Sequence, residues 1–295
     1  MKKILGITLL LILILSASAA GNTEDYLQGL EHYYNENYEE ASEEFSNALS
    51  SVQEEELEVD ILYFQTLSHI KNSNINDAKE NIEKLNDMGY NYGILYWRLG
   101  EIYLNKEGNY DSPFYSSARD QFIEAEKHGI SAPQFYSDLG KAYRGAGQTE
   151  KAIQTYEKAI DKDGTADDFE NLGSLYKRKG EWENSISNYQ QAIELNSDSS
   201  SLYLNIGEVF LELEEYEEAI SHFRKGLDLN PDFTNLRYQL GKSYFLNQDL
   251  DKAQETLQKV IEDKNNMYNA FYYLGEIHRE RDELEQAVYN YEQAL

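Results

Sequence analysis

A dipeptide of leucine or isoleucine followed by glycine recurs at a fixed interval along this 295-residue chain. The last four of these glycines, Gly173, Gly207, Gly241 and Gly275, are separated from one another by 34 residues. A constant period of roughly 20 to 50 residues indicates one supersecondary unit repeated along the chain. Such a unit cannot bury its apolar surface alone, so successive copies must stack. The period therefore overrules the two globular domains that chain length alone would suggest.

The residues around each glycine recur with it. A bulky residue lies four positions before most of the glycines, and an aromatic residue lies three positions after most of them. At about 100° per residue, these positions and the dipeptide share one stripe of a helix, so they predict an amphipathic first helix. Small residues recur 12 positions after the glycine, bulky residues 16 positions after it, and small or apolar residues 19 positions after it. These positions lie in a second helix. Gly147 and Gly180 lie where the first helix of two copies should end.

This pattern resembles the tetratricopeptide repeat, and the resemblance covers nearly all of residues 21–295. It implies an all-α fold, a right-handed superhelical solenoid of about eight antiparallel helix-turn-helix repeats. We expect the copies to begin near Asn22, Val59, Gly93, Pro133, Ala166, Ser200, Thr234 and Tyr268. The second copy is degenerate, with Thr66 in place of glycine. In the third copy, Gly100 and Ala118 are 18 residues apart instead of 12, which predicts an insertion within 105–115.

Residues 1–20 have the features of a bacterial secretory signal peptide. A basic start, Met1-Lys2-Lys3, precedes an apolar run that ends at Leu15, and small residues follow it. The run is too short to span a bilayer comfortably. We therefore expect cleavage after Ala19 or Ala20 and an exported protein, either periplasmic or extracellular. The alternative is an uncleaved signal that tethers the protein to the membrane.

The chain is strongly acidic, with 26 basic residues, 54 acidic residues and a net charge of −28. Nucleic acid and anionic lipid both require clustered lysine and arginine, so we expect no nucleic-acid partner and no membrane insertion after signal cleavage. Solubility, a saline habitat or a basic partner would each explain the acidity.

The sequence predicts no catalytic or cofactor site. It contains no cysteine, so thiolate metal sites and cysteine nucleophiles are excluded. His32, His69 and His278 all lie in the aromatic packing column, which predicts partly buried structural residues. No phosphate-binding loop is present either. We therefore expect a protein that is not an enzyme and that needs no cofactor or metal.

The first helix of each copy has a second stripe, which we name the inner stripe. It consists of the residue three positions before the glycine and the residues one and four positions after it. In tetratricopeptide proteins this stripe lines the concave groove that holds peptide or helix ligands, so the resemblance implies a binding role. The candidate partner-binding residues on or beside it are Tyr63, Trp97, Lys141, Arg144, Lys177, Arg178, Tyr238, Phe245 and Tyr272.

Each kind of candidate residue also has a purely structural interpretation. The four basic residues would bind an acidic segment or a free carboxylate by charge-assisted hydrogen bonds, or would neutralise neighbouring glutamates. The aromatic residues would anchor an interface, or would pack between adjacent first helices. Both alternatives remain open at the level of sequence.

These observations predict a protein–protein interaction scaffold or adaptor, in the cell envelope or secreted, that binds a peptide or helix of a partner in its groove. One alternative is a structural scaffold that associates with itself. A further alternative is the non-catalytic region of a larger enzyme or envelope-assembly protein that continues beyond Leu295.

Overall fold

The computed structural model describes residues 23–106, 113–263 and 268–295. Within these ranges the chain is all-α, with sixteen helices in eight consecutive pairs and no strand. The first helices of the pairs are α1 (Glu24–Tyr34), α3 (Glu55–Lys71), α5 (Gly93–Leu104), α7 (Pro133–Gly145), α9 (Ala166–Lys179), α11 (Ser200–Glu212), α13 (Thr234–Leu246) and α15 (Tyr268–Glu280). The second helices are α2 (Tyr38–Ser51), α4 (Ile75–Asp87), α6 (Pro113–Lys127), α8 (Thr149–Asp163), α10 (Trp182–Leu195), α12 (Tyr216–Leu229), α14 (Leu250–Asp263) and α16 (Leu284–Gln293). The predicted all-α repeat fold is confirmed.

Two of the expected features fall wholly or mainly outside the described residues. The signal peptide predicted for residues 1–20 is one, and most of the insertion predicted within 105–115 is the other. Eight residues separate the end of α5 from the start of α6, whereas three separate α11 from α12. One helix also differs from its expected position, because α3 begins at Glu55, four residues before Val59. Three glutamates in its first turn favour this longer helix through the helix dipole.

The helices divide into two compact units, the first ending at Thr155 and the second beginning at Tyr156, within α8. We name them unit one and unit two. Inside each unit, the second helix of a copy packs against the first helix of the next copy. Adjacent first helices also contact one another, for example α3 with α5 and α11 with α13. Those contacts place the inner stripes of neighbouring copies side by side.

The recurrent glycine allows the two helices of a copy to approach closely. A Cβ atom added to Gly207 would lie 2.3 Å from Cε1 of Phe223, and one added to Gly100 would lie 2.3 Å from Cε1 of Phe122. Carbon atoms in contact prefer about 3.5–4.0 Å, so a larger residue would push the helices apart. Phe122 lies 22 positions after its glycine and Phe223 lies 16 after, yet both rings occupy the equivalent place. The longer connection between α5 and α6 therefore leaves the packing of this copy unchanged.

The small and bulky columns of the second helices form the core. Ala219 and Phe223 of α12 are fully buried and pack with Leu236 and Leu240 of the following first helix. The corresponding core of unit one contains Tyr26, Leu30, Ala41, Phe45, Ala48 and Ile61. Because one face of each first helix is buried in this way, most of the inner stripe lies on a different face of the same helix.

The turn after most first helices contains a residue in the left-handed backbone region. Gly147 and Gly180 have φ values of 70° and 73°, which confirms the two predicted glycine caps. Equivalent turns in other copies place non-glycine residues at φ values between 58° and 65°, at Glu36, Ser73, Glu214, Gln248 and Asp282. A left-handed conformation costs a non-glycine residue about 1–2 kcal/mol, so these turns are strained relative to the glycine turns.

Candidate functional site

The inner stripe of unit one lines two adjoining cavities. Cavity A has a volume of about 600 Å³ and lies between copies one, two and three. Cavity B has a volume of about 260 Å³ and lies between copies three and four. Glu101 and Asn105 contribute to both cavities, so the two adjoin, and we refer to them together as the recess.

Cavity A has an apolar wall and a polar rim. The apolar wall consists of Tyr33, Tyr63, Leu67, Ile70, Ile94 and Ile102. The rim consists of Lys71, Arg98, Glu101 and Asn105. A mainly apolar concave surface with a few convergent polar groups is the usual composition of a ligand-binding pocket.

Neighbouring rings hold the aromatic side chains of cavity A in place. Tyr63 is half-buried, and its ring centroid lies 4.9 Å from that of Tyr92 and 5.5 Å from that of Phe64. Tyr33 contacts the same Phe64 ring at 5.6 Å. Burial raises the pKa of Tyr33 to about 12 and also raises the pKa of Tyr63. Both phenols are therefore neutral hydrogen-bond donors at physiological pH.

The charge of Glu101, on the wall shared by the two cavities, is neutralised within its own helix. Nη1 of Arg98 donates to both carboxylate oxygens of Glu101, at 2.8 and 3.0 Å. The Arg98 guanidinium also lies over the Trp97 ring, 5.2 Å from the ring centroid. This cation–π contact fixes the arginine beside the recess.

Trp97, one of the predicted aromatic anchors, packs between two adjacent first helices. Its ring meets Phe135 of α7 edge-on at 5.7 Å, and its Nε1 donates to Oδ2 of Asp138 at 3.0 Å. The other Asp138 oxygen accepts from Nε2 of Gln134, also at 3.0 Å. Asp138 is almost completely buried, and each of its carboxylate oxygens has a donor. Trp97 thus satisfies a buried carboxylate and joins α5 to α7.

Cavity B contains two of the predicted basic residues, Lys141 and Arg144. Lys141 is partly exposed, and among the described residues it has no hydrogen-bond or ion-pair partner. Leu104 and Tyr115 supply apolar wall to the same cavity. Tyr115 covers Gly145 so closely that a Cβ atom there would lie 2.2 Å from the ring. Arg98 neutralises Glu101, so Lys141 and Arg144 outnumber the one remaining carboxylate of cavity B, Asp138, and the cavity has an excess of positive charge.

The inner stripe of unit two is occupied by bonds between its own residues. The ammonium group of Lys177 pairs with the carboxylate of Glu208 on the next first helix. The second oxygen of Glu208 accepts from Nε2 of Gln239 at 3.3 Å, one helix further along. Oε1 of Glu170 accepts from Nδ2 of Asn205 at 3.3 Å. Lys177 therefore neutralises a neighbouring glutamate, which is the structural alternative that the sequence left open for the basic residues.

The aromatic candidates of unit two pack mainly against a neighbouring ring. The ring centroids of Tyr238 and Phe245 lie 6.2 and 5.4 Å from that of Tyr273. Both side chains are half-buried, and burial raises the pKa of Tyr238 to about 12. Tyr272 contacts Tyr273 but remains 47% exposed. Arg178 is exposed and lies beside the stripe rather than on it.

A serine, a histidine and an aspartate meet in unit one without forming a catalytic triad. Oγ of Ser42 lies 3.3 Å from Nε2 and 3.5 Å from Nδ1 of His69, and Nδ1 lies 3.8 Å from a carboxylate oxygen of Asp77. A general base needs one ring nitrogen aligned with the hydroxyl, whereas this hydroxyl is almost equidistant from both. Ser42 also lies inside α2, where backbone N–H groups bond within the helix and are not free to stabilise an oxyanion.

His32, His69 and His278 are partly buried, as predicted from their column. Across residues 23–106, 113–263 and 268–295, no group of three or more histidine, aspartate or glutamate side chains is arranged to hold a metal ion.

The sequence identified part of the recess and missed part of it. Tyr33, Leu67 and Ile70 occupy inner-stripe positions, so the period placed them correctly, although they are not among the candidates. Arg98 lies one residue outside the stripe, and its pairing with Glu101 could have been inferred from their three-residue spacing. Tyr115 gave no signal, because it is the last residue of the range in which the insertion was predicted, where the register of the repeat is interrupted.

Three family models match the chain over its more regular copies. The model described as TPR repeat matches residues 173–214, and models described as Tetratricopeptide repeat match residues 210–274 and 133–163. The chain is a tetratricopeptide repeat protein. No curated protein matches it in sequence.

Solved structures share the fold of this tetratricopeptide repeat protein. The C-terminal part of a TPR repeat-containing protein from Cytophaga hutchinsonii is 23% identical, with a TM-score of 0.64, and the match covers 78% of this chain and 93% of that one. YrrB, described as a TPR protein with an unusual peptide-binding site, is 20% identical, with a TM-score of 0.55 and coverage of 69% and 97%. A MamA protein is 25% identical, with a TM-score of 0.52 and coverage of 55% and 90%.

None of the helices in the described part of this protein combines the length and the hydropathy needed to cross a bilayer.

Proposed function

We propose that this tetratricopeptide repeat protein is a non-catalytic scaffold or adaptor that binds a peptide segment of a partner protein along the inner stripe of unit one. One observation carries the proposal. Stripe residues of copies one to four line two adjoining cavities of about 600 and 260 Å³, whose surfaces combine apolar walls with a few charged groups. A recess of this volume and composition suits the side chains of a bound peptide. YrrB, a TPR protein described as having a peptide-binding site, provides a precedent within the same fold.

Within this proposal the candidate residues have different roles. Tyr63, Lys141 and Arg144 contact the peptide, together with Leu67 and Ile70 of cavity A. Trp97 positions Arg98 and Asp138 beside the recess. The remaining candidates, Lys177, Arg178, Tyr238, Phe245 and Tyr272, belong to unit two. Of these, Lys177, Tyr238 and Phe245 stabilise unit two through their internal contacts, and the exposed side chains of Tyr272 and Arg178 make a second contact with the partner.

The proposed site of action is the periplasm or the outside of the cell, on the evidence of residues 1–20. The basic start, the short apolar run and the small residues after it support export. Amino-terminal sequencing of the protein recovered from cell fractions tests this. We expect a mature terminus at Ala20 or Gly21 in the exported fraction, and an intact Met1 in that fraction would favour the membrane-tethered alternative.

A random dodecapeptide library displayed on phage tests the binding function with the full chain. We expect the selected peptides to bind the wild type with micromolar affinity and to lose at least tenfold in affinity for the variant Leu67→Asp, which places a charge in cavity A. The matched control is Leu195→Asp, since Leu195 is 58% exposed in unit two. Circular dichroism shows whether both variants keep the helical fold. Peptides that bind the wild type and Leu67→Asp equally well would contradict the proposal.

A second candidate function is self-association, and one exposed apolar face favours it. Leu284, Val288 and Tyr289 of α16 are 64%, 55% and 59% exposed. Sedimentation velocity over a hundredfold concentration range tests this function. A mass that rises with concentration in the wild type and stays monomeric in Val288→Glu would support it, and a constant mass would reject it.

A further inference from the structure

We infer that the peptide held by unit one carries an apolar or aromatic side chain and a glutamate side chain about three residues apart. The first side chain occupies cavity A and the second occupies cavity B. This inference rests on the proposed function and specifies the chemistry of its ligand.

The charges around cavity B select an anionic group. The cavity is lined by two carboxylates and two cationic groups, so a simple count would make it neutral. The charge of Glu101, however, is neutralised by Arg98, so Asp138 is the one remaining carboxylate beside two cationic groups. Asp138 keeps its charge, but both of its oxygens already accept bonds, from Trp97 and Gln134. Lys141 has no such partner among the described residues. A ligand carboxylate that reaches Lys141 forms a charge-assisted hydrogen bond, whereas a ligand ammonium group would meet carboxylates that are already bonded.

The walls of cavity B favour the side chain of glutamate as the source of that carboxylate. Leu104 and Tyr115 line the cavity beside Lys141, and close contact with Gly145 holds the Tyr115 ring in place. The two methylene groups of glutamate would cover these apolar surfaces while its carboxylate reaches the ammonium group. A terminal carboxylate attached directly to the backbone has no such methylene groups to cover them.

The walls of cavity A favour a large apolar side chain. Six of its ten lining residues are tyrosine, leucine or isoleucine, and the phenols of Tyr33 and Tyr63 carry no charge at physiological pH. Aromatic and branched aliphatic side chains bury the most apolar area in such a site, and aromatic pairs add further stabilisation.

The geometry of the helices sets the spacing between the two side chains. All but one of the residues that line cavity A belong to α3 or to the α5 region, and cavity B is lined mainly from α5 and α7, so their centres are displaced by about one helix. Packed helices have axes about 8–10 Å apart. An extended peptide covers about 3.3–3.6 Å per residue, so about three residues span this distance.

A series of short peptides tests the inference by fluorescence anisotropy with the full chain. The parent is acetylated, amidated and fluorescein-labelled, with Phe-Ser-Ser-Glu at its centre and serine and glycine elsewhere. We expect replacement of its glutamate by glutamine to weaken binding about tenfold or more, as removal of a charge-assisted hydrogen bond does. Moving the glutamate next to the phenylalanine, or six residues away, is expected to weaken binding comparably. Reversing the order of the two residues establishes the direction of the chain.

Charge-reversal variants test whether Lys141 binds the glutamate of the peptide. Lys141→Glu is expected to weaken binding of the parent peptide at least tenfold and to improve binding of a peptide with lysine in place of the glutamate. Lys127→Glu is the matched control, because Lys127 is an exposed lysine of unit one outside both cavities. Equal binding of the glutamate and glutamine peptides would overturn the inference, as would equal effects of the two lysine variants. Tighter binding of a glutamine peptide with a free terminal carboxylate would also overturn it.

The same measurements separate this inference from the proposed function. If Leu67→Asp abolishes binding of both the glutamate and the glutamine peptide, and the two bind the wild type equally, only the inference is overturned. If peptides bind the wild type and every cavity variant with the same affinity, both are overturned. Tyr63→Ser provides a second cavity A variant should Leu67→Asp fail to fold.

Discussion

Unit one and unit two carry the same inner stripe, yet the stripe has different surroundings in each. In unit one, Lys141 faces a cavity without a partner among the described residues. In unit two, Lys177 pairs with Glu208, and Glu208 in turn accepts from Gln239. Both lysines occupy positions defined by the repeat, one and four residues after the glycine. The difference arises on the neighbouring helices, since one of them places the carboxylate of Glu208 beside Lys177 and, in the described part of the chain, none places a carboxylate in contact with Lys141.

The comparison shows how a repeat separates architecture from binding. The glycine, the small residues and the buried aromatics set the distance between helices in both units. In unit one, the stripe residues Tyr26 and Leu30 are buried in the core and Trp97 joins two helices, but most of the other stripe residues line the two cavities. In unit two, stripe residues cross-link adjacent first helices. We therefore expect substitutions of cavity residues in unit one to reduce binding, and substitutions on the stripe of unit two to reduce stability alone.

The largest expected effect separates two tyrosines at equivalent stripe positions. Tyr238→Ala removes a half-buried ring that packs on Tyr273, and we expect the free energy of unfolding to fall by about 2–3 kcal/mol, because large-to-small changes in packed sites cost this much. Tyr63→Ala removes a half-buried ring that packs on Phe64 and Tyr92, so we expect a similar loss of stability. It is also expected to weaken binding of the phenylalanine–glutamate peptide about tenfold, whereas Tyr238→Ala should leave that binding unchanged. Urea unfolding and anisotropy measure the two effects. Weaker binding in Tyr238→Ala, or unchanged binding in Tyr63→Ala, would remove the distinction between the units.

A smaller loss of stability is expected when the cross-link in unit two is broken. Glu208→Ala leaves Lys177 and Gln239 without their shared acceptor, and we expect a cost of about 1–2 kcal/mol in urea unfolding. Glu255→Ala is the control, since it removes an exposed pair with Lys259 and should change the stability much less. Equal costs for the two variants would show that the stripe of unit two is not stabilised by its own bonds.

The turns between paired helices offer a comparison inside unit two alone. Glu214 has a φ of 60° without being glycine, whereas Gly180 has a φ of 73°. Gly180→Ala is expected to lower the free energy of unfolding by about 1 kcal/mol, and Glu214→Gly to raise it by up to about 1 kcal/mol. Changes of the same sign in the two variants would contradict the description of these turns.

The smallest expected effect concerns pH. Desolvation and nearby Lys225 lower the pKa of His222 in unit two below its ordinary value of 6.5, because its ring is buried between Phe210 and Tyr203. Above pH 6.5 both the folded and the unfolded protein hold this histidine neutral, and its contribution to stability is complete. As the pH falls below 6.5, the unfolded chain takes up the proton first, so the folded state loses stability.

The variant His222→Phe keeps the ring packing and removes this titration. We expect the urea midpoint of the wild type to fall more steeply between pH 6.5 and 5 than that of the variant. In unit one, burial also lowers the pKa of His69, but Asp77 and Glu80 oppose the shift, so His69→Phe should change the slope less. Identical slopes for the wild type and His222→Phe would show that His222 does not contribute.

The fold was predictable because every copy repeats the same packing requirement. Gly100 illustrates this, since its ring partner Phe122 keeps its place although the repeat is lengthened by six residues. The glycine caps at Gly147 and Gly180 were predictable for the same reason, because only the backbone conformation matters there. The strained turn at Glu214 was not, since a glutamate in sequence gives no sign of a positive φ.

The candidate site was only partly predictable, because it depends on contacts between copies. The period gives the helix face on which Lys141 and Lys177 lie, but it does not show which carboxylates already have partners. The sequence predicts that Trp97 anchors an interface, whereas the structure shows that it donates to Asp138 and packs between two helices. Tyr115 enters cavity B from beyond the insertion, where the repeat no longer specifies the register.

Hydrogen–deuterium exchange of the full chain, with and without the phenylalanine–glutamate peptide, tests the account most directly. If unit one binds the peptide, exchange becomes slower on peptide addition in residues 55–71, 93–104 and 133–145, which form α3, α5 and α7. Exchange stays unchanged in residues 200–212 and 234–246, which form α11 and α13 of unit two. Protection confined to α11 and α13, with none in unit one, would contradict the account.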